Sequence, residues 1–193
     1  ALVVDVAYID VAGDEEEYSR FFPKLERLPE NVISIVADSL SKTFTLYGTR
    51  CGAMICVAKT QEIADEFKRV CEYSSRGSWS NSAKVAQVIL SRIYGDPQLL
   101  AKIDSEREKY RNMLIRRGAA FSREAEKVGL EIVPYDAGFF VSIPCDNPDE
   151  VSRKLEEKDV FLVPLAKGIR VAVASLPEEK CAALPAIIKE ALE

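Results

Sequence analysis

The sequence is 193 residues long and carries a formal net charge of −5. Its hydrophobic fraction of 48% and charged fraction of 30% are those of a globular protein, with length for one sizeable domain or two modest ones. The acidic balance, with no basic stripe interleaved with aromatic residues, argues against a nucleic-acid partner. No apolar run is long enough to span a bilayer and no secretory leader is evident, so we expect a cytoplasmic protein with no membrane partner.

The chain has five cysteines and no histidine. The cysteine number is odd, and the cysteines are scattered without a C-x-x-C pair. Zinc sites of the usual spacing and the Ser-His-Asp and Cys-His catalytic devices all need histidine or paired cysteines. We therefore expect reduced thiols and no metal site.

The first predicted element is a strand from Leu2 to Ile9 whose C-terminal end presents Asp5 and Tyr8. Ligands of parallel α/β sheets collect outside the carboxyl ends of the strands. An apolar run ending in aspartate is common in such sheets, so this strand alone indicates no particular chemistry.

A second predicted strand, Val32 to Ala37, leads into the segment SLSKTFTLYGTRCG, residues 39–52. Lys42 stands there among hydroxyl residues, eight positions before Arg50. A desolvated lysine amine near other positive charge loses its proton more readily and becomes a nucleophile toward carbonyls, including the aldehyde of pyridoxal phosphate (PLP). Arg50 could hold the cofactor phosphate in a fork. For the lysine motif alone, a solvated loop lysine is the alternative.

The next elements continue the alternation of strand and helix, which is typical of a parallel α/β sheet. A third strand is predicted from Ala53 to Val57, and apolar residues at helical spacing predict a helix from Thr60 and another from Ala83 to Ile93. Between these helices lies RGSWSN, residues 76–81, for which we predict a helix N-terminus capped by Ser80.

Residues 95–97, Gly-Asp-Pro, end that helix, and a long amphipathic helix is predicted to about Val128, with residues 106–109 on its solvated face. The elements predicted after it form an α+β arrangement: strands Leu130 to Val133, Phe139 to Ile143, Val160 to Val163 and Ile169 to Ala174, and helices from Pro148 to Lys158 and from Pro177.

The last predicted strand carries one arginine, in the segment GIRVAVA of residues 168–174. Strand alternation places Arg170 on the same face as Ala172 and Ala174, so we expect it to enter a lined cavity. A solvated arginine on an edge strand is the alternative.

Taken together and in this order, these segments resemble the fold-type I PLP-dependent aminotransferases, the aspartate and aromatic aminotransferase superfamily. In that resemblance Lys42 matches the family's Schiff-base lysine, and Ser39 and Arg50 match its phosphate ligands. The start of the chain, VVDVAY, resembles the D-x-A-Y strand end of the family. Asp5 would then pair with the pyridine nitrogen and Tyr8 would bond the ring hydroxyl.

The resemblance also assigns two substrate arginines. Arg170 matches the arginine that forks the substrate α-carboxylate. Arg76 matches the one that reaches into the neighbouring subunit's active site and binds the distal carboxylate of a dicarboxylic substrate, which implies a homodimer.

For the fold, the resemblance implies an α/β PLP-dependent transferase-like protein. Residues 1–95 would be the C-terminal part of the PLP-binding large domain, with the second half of its mostly parallel sheet. Residues 96–193 would be the inter-domain helix and the α+β small domain. Enzymes of the family are roughly twice this length, so we expect a C-terminal fragment that is inactive alone.

The function implied is transfer of an amino group between an amino acid, of aspartate or aromatic type, and a 2-keto acid. Two alternatives share these motifs. One is a PLP-dependent carbon–sulfur β-lyase, and the other is the PLP-binding effector domain of a transcription regulator.

Overall fold

The structure of the protein, a computed structural model, describes residues 1–13 and 19–193. The chain forms two compact units, residues 1–108 and residues 109–193, which divide within one long helix. None of the described helices combines the length and the hydropathy needed to cross a bilayer.

The sheet of the first unit contains three strands, β1 (Leu2–Asp5), β2 (Ser34–Ser39) and β3 (Gly52–Val57), in that order. β1 and β2 are parallel, whereas β3 runs antiparallel to β2. The sequence pattern predicted a parallel sheet here. The connection from β2 to β3 contains only short helical turns, with no crossover helix of ordinary length, so β3 turns back beside β2.

The helices of the first unit are α1 (Phe22–Leu25), α2 (Leu40–Thr43), α3 (Gln61–Ser78) and α4 (Lys84–Gly95). Short 3₁₀ turns occur at Ile9–Val11 and Tyr47–Thr49. Val6, Leu25 and Val36 form the buried centre of this unit. The predicted start at Thr60 is confirmed, because its side chain accepts a hydrogen bond from the amide of Ile63 at 3.4 Å.

The long helix α5 (Pro97–Lys127) confirms the prediction of one continuous helix after the Gly-Asp-Pro break. Asp96 caps it, since its carboxylate accepts from the amides of Gln98 and Leu99 at 3.0 and 3.1 Å. Gly129 ends it in the left-handed region (φ +64°), and the amide of Leu130 donates back to the carbonyl of Ala125 at 2.9 Å. This is the Schellman ending that glycine allows without strain.

The second unit contains the strands β4 (Phe140–Pro144), β5 (Val163–Leu165) and β6 (Gly168–Ala172) and the helices α6 (Pro148–Glu156) and α7 (Glu178–Leu192). β6 lies between β4 and β5 and is antiparallel to both. The fully buried residues at its core include Phe121, Ile143, Leu155, Ile169 and Ile188.

Two strand predictions in this unit are wrong. Residues 130–133 form no strand, although the amide of Val133 donates to the carbonyl of Ser142 at 2.9 Å. The strand predicted from Val160 to Val163 begins only at Val163. Asp159 adopts φ 56° and the amide of Val160 donates to the carbonyl of Leu155, so these two residues complete the end of α6.

Candidate active site

The carboxyl ends of β1 and β2 bring predicted site residues to one end of the first sheet. Asp5 is the last residue of β1 and lies opposite Ala37 of the parallel strand β2. Ser39 is the last residue of β2, and Lys42 follows in α2. We call this end of the sheet, which carries Asp5, Ser39 and Lys42, the lysine edge.

The short helix α2 is set by its first residue and its buried side. Ser39 is extended (φ −146°, ψ 134°), and its Oγ accepts a hydrogen bond from the amide of Ser41 at 3.2 Å. Leu40 and Ser41 are buried, whereas Lys42 in the last turn is half-buried. The start of the helix is therefore buried, and the lysine side chain at its end is partly accessible.

Two tyrosine rings flank the lysine amine. Lys42 Nζ lies 5.1 Å from the ring centroid of Tyr8 and 4.3 Å from that of Tyr47. Both distances fall within the range in which an ammonium group is attracted to the face of an aromatic ring. Tyr8 was predicted from the sequence. Tyr47 was not, although its place five residues after the lysine, on a predicted loop with Gly48, was a usable signal.

The segment after the lysine is held by residues distant in sequence. Thr43 Oγ1 donates to Asp10 Oδ2 at 2.5 Å, and the carbonyl of Thr43 accepts from Arg107 Nε at 3.3 Å. The sequence analysis assigned no role to Asp10, and it placed Arg107 on a solvated helix face. That placement is wrong, because the Arg107 side chain is only 13% exposed.

Arg50 lies close to the lysine edge along the backbone. Its neighbour Gly52 pairs with Ser39 across β2 and β3, and the amide of Leu40 donates to the carbonyl of Cys51 at 3.2 Å. Arg50 itself is exposed and left-handed (φ 48°), and its Nη1 donates to the carbonyl of Tyr47 at 3.2 Å. A Cβ at Gly52 would collide with the carbonyl oxygen of Asp38, so this strand approach requires glycine.

Arg76 does not lie where the sequence analysis placed it. It is an exposed residue in the last turn of α3, not the lead-in to the next helix. The prediction that Ser80 caps a helix N-terminus is wrong. Ser80 adopts φ 69° and its amide donates to the carbonyl of Ser75 at 3.0 Å, so it closes the C-terminus of α3. The next helix begins at Lys84, preceded by Ala83.

Arg170 belongs to the second unit, on the central strand β6, opposite Ser142 of β4 and Val163 of β5. Its guanidinium carbon lies 4.3 Å from the ring centroid of Phe140. The alternative that Arg170 lies on an edge strand is excluded, since β6 is paired with a strand on each side. The strand face predicted to carry Arg170, Ala172 and Ala174 is shorter than expected. β6 stops at Ala172, and Ala174 lies in the 3₁₀ turn Val173–Ser175.

One cavity of the first unit, of about 290 Å³, adjoins the lysine edge. Its lining includes Asp10, Ser39, Thr43 and Phe44, but among the described residues it does not include Lys42 or Asp5. The cavity therefore lies beside α2 and the residues that contact it, and not around the lysine amine.

Three of the described cysteines have weakly reactive thiols. Burial raises the pKa of the thiols of Cys56, Cys145 and Cys181. A thiol with a raised pKa stays protonated near neutral pH and is a poor nucleophile.

A family model described as aminotransferase class I and II matches residues 1–188. No curated protein matches the chain. Among solved structures, the chain is similar to an aminotransferase from Anaerococcus prevotii, with 37% sequence identity and a TM-score of 0.94. That match covers 100% of this chain and 47% of the other.

Two more distant structures share the fold. A mitochondrial aspartate aminotransferase from Trypanosoma brucei is 25% identical with a TM-score of 0.74, over 99% of this chain and 50% of that one. An aromatic-amino-acid aminotransferase from Burkholderia pseudomallei, covalently bound to pyridoxal phosphate, is 21% identical with a TM-score of 0.73, over 99% and 47%. The chain spans about half the length of the structures it matches.

Proposed function

Because the chain belongs to the aminotransferase class I and II family, we propose that it is part of a PLP-dependent aminotransferase that acts on an amino acid and a 2-keto acid. The observation that carries the proposal is the lysine edge. Asp5 and Ser39 end two neighbouring parallel strands, and the half-buried Lys42 follows Ser39 by three residues, at the end of the sheet where such folds bind ligands.

The donor set of these residues fits PLP. Ser39 Oγ accepts from the amide of Ser41, which leaves its hydroxyl hydrogen for an acceptor such as a phosphate oxygen. Arg50 is exposed and uses Nη1 on the carbonyl of Tyr47, so its other donors suit a phosphate. Asp5 supplies the negative charge that a protonated pyridine nitrogen needs, and Tyr8 a phenol for the ring oxygen.

When bound, PLP supplies an electron sink that stabilises the carbanion left by deprotonation of the substrate Cα. Lys42 would be the covalent anchor of the cofactor, and its Nζ would also serve as the acid and base that moves the proton at the substrate Cα. Asp5 would keep the pyridine nitrogen protonated. The rings of Tyr8 and Tyr47 both lie within cation–π distance of the lysine amine.

Arg170 is proposed to bind the substrate α-carboxylate. A planar guanidinium can donate two parallel hydrogen bonds to a carboxylate, which lysine cannot do. The ring of Phe140, at 4.3 Å, would hold the guanidinium plane in a fixed orientation. Binding at one fixed angle would hold the substrate in one orientation.

Arg76 is proposed to bind the distal carboxylate, in the site of a partner copy within a homodimer. Its exposed position at the end of α3 suits a side chain that reaches out of its own subunit. This role favours aspartate-type or aromatic amino acids as donors.

For the organisation of the whole protein, we propose that residues 1–95 are the C-terminal part of the PLP-binding large domain. Residues 96–193 would be the inter-domain helix and the small domain. Because the matched structures are about twice as long, we expect activity from the full-length protein and none from residues 1–193 alone.

The test is covalent trapping at Lys42 in the full-length protein. PLP is added, the bond is reduced with borohydride, and labelled peptides are mapped by mass spectrometry. We expect the label on Lys42. The variant Lys42→Ala should lose the label and the visible absorbance of the bound cofactor, whereas the control Lys84→Ala, at the exposed start of α4, should keep both. A label on a different lysine would show that the lysine edge is not the cofactor site.

A further inference from the structure

Arg107 connects the long helix to the lysine edge. It lies 64 residues after Thr43, yet its Nε donates to the carbonyl of Thr43 at 3.3 Å. Its Nη1 donates to Asp104 Oδ1 at 3.2 Å, one helical turn earlier in α5. A cation so placed binds the last turn of α2 at a carbonyl that has no partner within the helix.

Aromatic packing adds a second contact. The guanidinium carbon of Arg107 lies 5.2 Å from the ring centroid of Phe44, and that ring meets Tyr94 edge-on at 6.3 Å. A delocalised guanidinium stacks on an aromatic face while its edge donates hydrogen bonds, which an ammonium group cannot do. Arg107 therefore contacts both residues that follow Lys42: the backbone carbonyl of Thr43 and the aromatic ring of Phe44.

The turn that these contacts hold is strained. Thr45 adopts φ 54°, a left-handed conformation that a β-branched residue rarely accepts. It closes α2, because the amide of Thr45 donates to the carbonyl of Lys42 at 3.4 Å and that of Leu46 to the carbonyl of Leu40 at 3.2 Å. Such conformations persist only where the surrounding structure over-determines them. Arg107 supplies that restraint from one side, and Asp10, through its bond to the Thr43 hydroxyl, from another.

We propose that Arg107 is a positioning residue for Lys42. It fixes the last turn of α2, and so the position of the lysine Cα and the direction in which its amine extends. The proposal rests on the proposed function, in which Lys42 anchors the cofactor. It goes further by assigning a role to a charge on the long helix that touches neither cofactor nor substrate.

The experiment uses the full-length protein with Arg107→Met, Arg107→Lys and the control Arg116→Met. Arg116 lies on the same helix, is 61% exposed and contacts only a surface carboxylate, that of Glu178, at 3.6 Å among the described salt bridges. Each protein is stripped of cofactor, PLP is added, and the rate of attachment to Lys42 is followed by timed borohydride quenching and peptide mapping. Circular dichroism of the cofactor-free proteins reports whether each variant is folded.

Arg107→Met should slow attachment by about tenfold or more, because displacement of a reactive group by about 1 Å can cost up to a hundredfold in rate. Arg107→Lys should recover part of the rate, since an ammonium can still reach the Thr43 carbonyl but cannot stack on Phe44. Arg116→Met should match the parent. In steady state, Arg107→Met should lower kcat and leave KM within about twofold, because no substrate contact is removed.

A folded Arg107→Met protein that attaches PLP at the parent rate would overturn the inference. If Arg107→Met does not fold, Arg107→Lys decides: a slower attachment than in Arg116→Met supports positioning, and an equal rate refutes it. Failure to label Lys42 in the parent protein would refute the proposed function itself, and the positioning role with it.

Discussion

The guanidinium of Arg170 is half-buried on the central strand of its sheet, against the ring of Phe140. If it binds the α-carboxylate, Arg170→Lys replaces a bidentate pair by a single point contact. A loss of about 3 kcal/mol corresponds to a KM that rises about a hundredfold or more for every amino acid and keto acid tested. Steady-state kinetics with several substrates measures this, with Arg153→Lys on the exposed face of α6 as control. An unchanged KM would remove Arg170 from the substrate site.

The residues of the candidate site differ in how far sequence could predict them. Ser39, Lys42 and Arg50 lie within 12 residues, so local spacing sufficed to single them out. Asp10 and Arg107 reach the same segment only through tertiary packing, and neither carries a local pattern that separates it from a solvated charge. Arg107 stands among charged neighbours on an amphipathic helix, where burial of one guanidinium depends on Phe44, 63 residues earlier.

At the scale of the elements, three helix starts were predicted better than the strands, although the start predicted at Ser80 was wrong. Thr60, Asp96 and Pro177 carry capping or breaking chemistry in their own side chains, and each stands directly before a helix. Strand pairing needs a partner, which sequence does not name. Residues 130–133 have the apolar pattern of a strand but form no ladder, and Val160 is used to end α6. The direction of β3 likewise depends on how the lysine segment folds back.

Helix α5 provides a test of packing at the element scale. Gly118 is buried on this helix, and a Cβ there would collide with the ring and hydroxyl of Tyr135. The Tyr135 hydroxyl donates to the carbonyl of Gly138 at 2.8 Å, so the ring cannot shift without losing that bond. Gly118→Ala should therefore lower the free energy of unfolding by about 1 kcal/mol or more, since overpacking typically costs 1–3 kcal/mol.

The matched control is Gly77→Ala in α3, where nothing lies within 4 Å of the added Cβ. Alanine there should raise the free energy of unfolding by up to about 1 kcal/mol, from helix propensity alone. Urea unfolding followed by circular dichroism compares the two variants. Equal effects at both positions would contradict the packing of Tyr135 against Gly118.

At the scale of the whole molecule, the first unit leaves large apolar side chains uncovered. Tyr73 is 85% exposed and Trp79 80% exposed on or just beyond α3, and Met54 of β3 is 61% exposed. Helix α3 is amphipathic, yet none of its residues is buried within the described chain. Apolar surface of this kind marks a contact face. It supports the proposal that the active protein is larger than residues 1–193 and works as an assembly.

Arg76 allows the proposed assembly to be tested by complementation. If Arg76 serves the partner's site, the active protein must be at least a dimer, because a side chain cannot complete a neighbour's pocket in a monomer. Arg76→Ala should then lower the activity on dicarboxylate substrates and leave the activity on monocarboxylate substrates nearly unchanged. The control is Arg69→Ala, an exposed arginine two turns earlier on α3.

Mixing full-length Arg76→Ala and Lys42→Ala subunits should produce hybrid dimers. In each hybrid, one of the two sites combines the native Lys42 of one subunit with the native Arg76 of the other. We therefore expect the mixture to show more dicarboxylate transamination than either variant alone, up to about half of the parent activity per hybrid, because only one site is complete. Subunit exchange is verified by native mass spectrometry with one partner isotopically labelled. Hybrids that form and show no recovered activity would place Arg76 in its own subunit's site or outside any site.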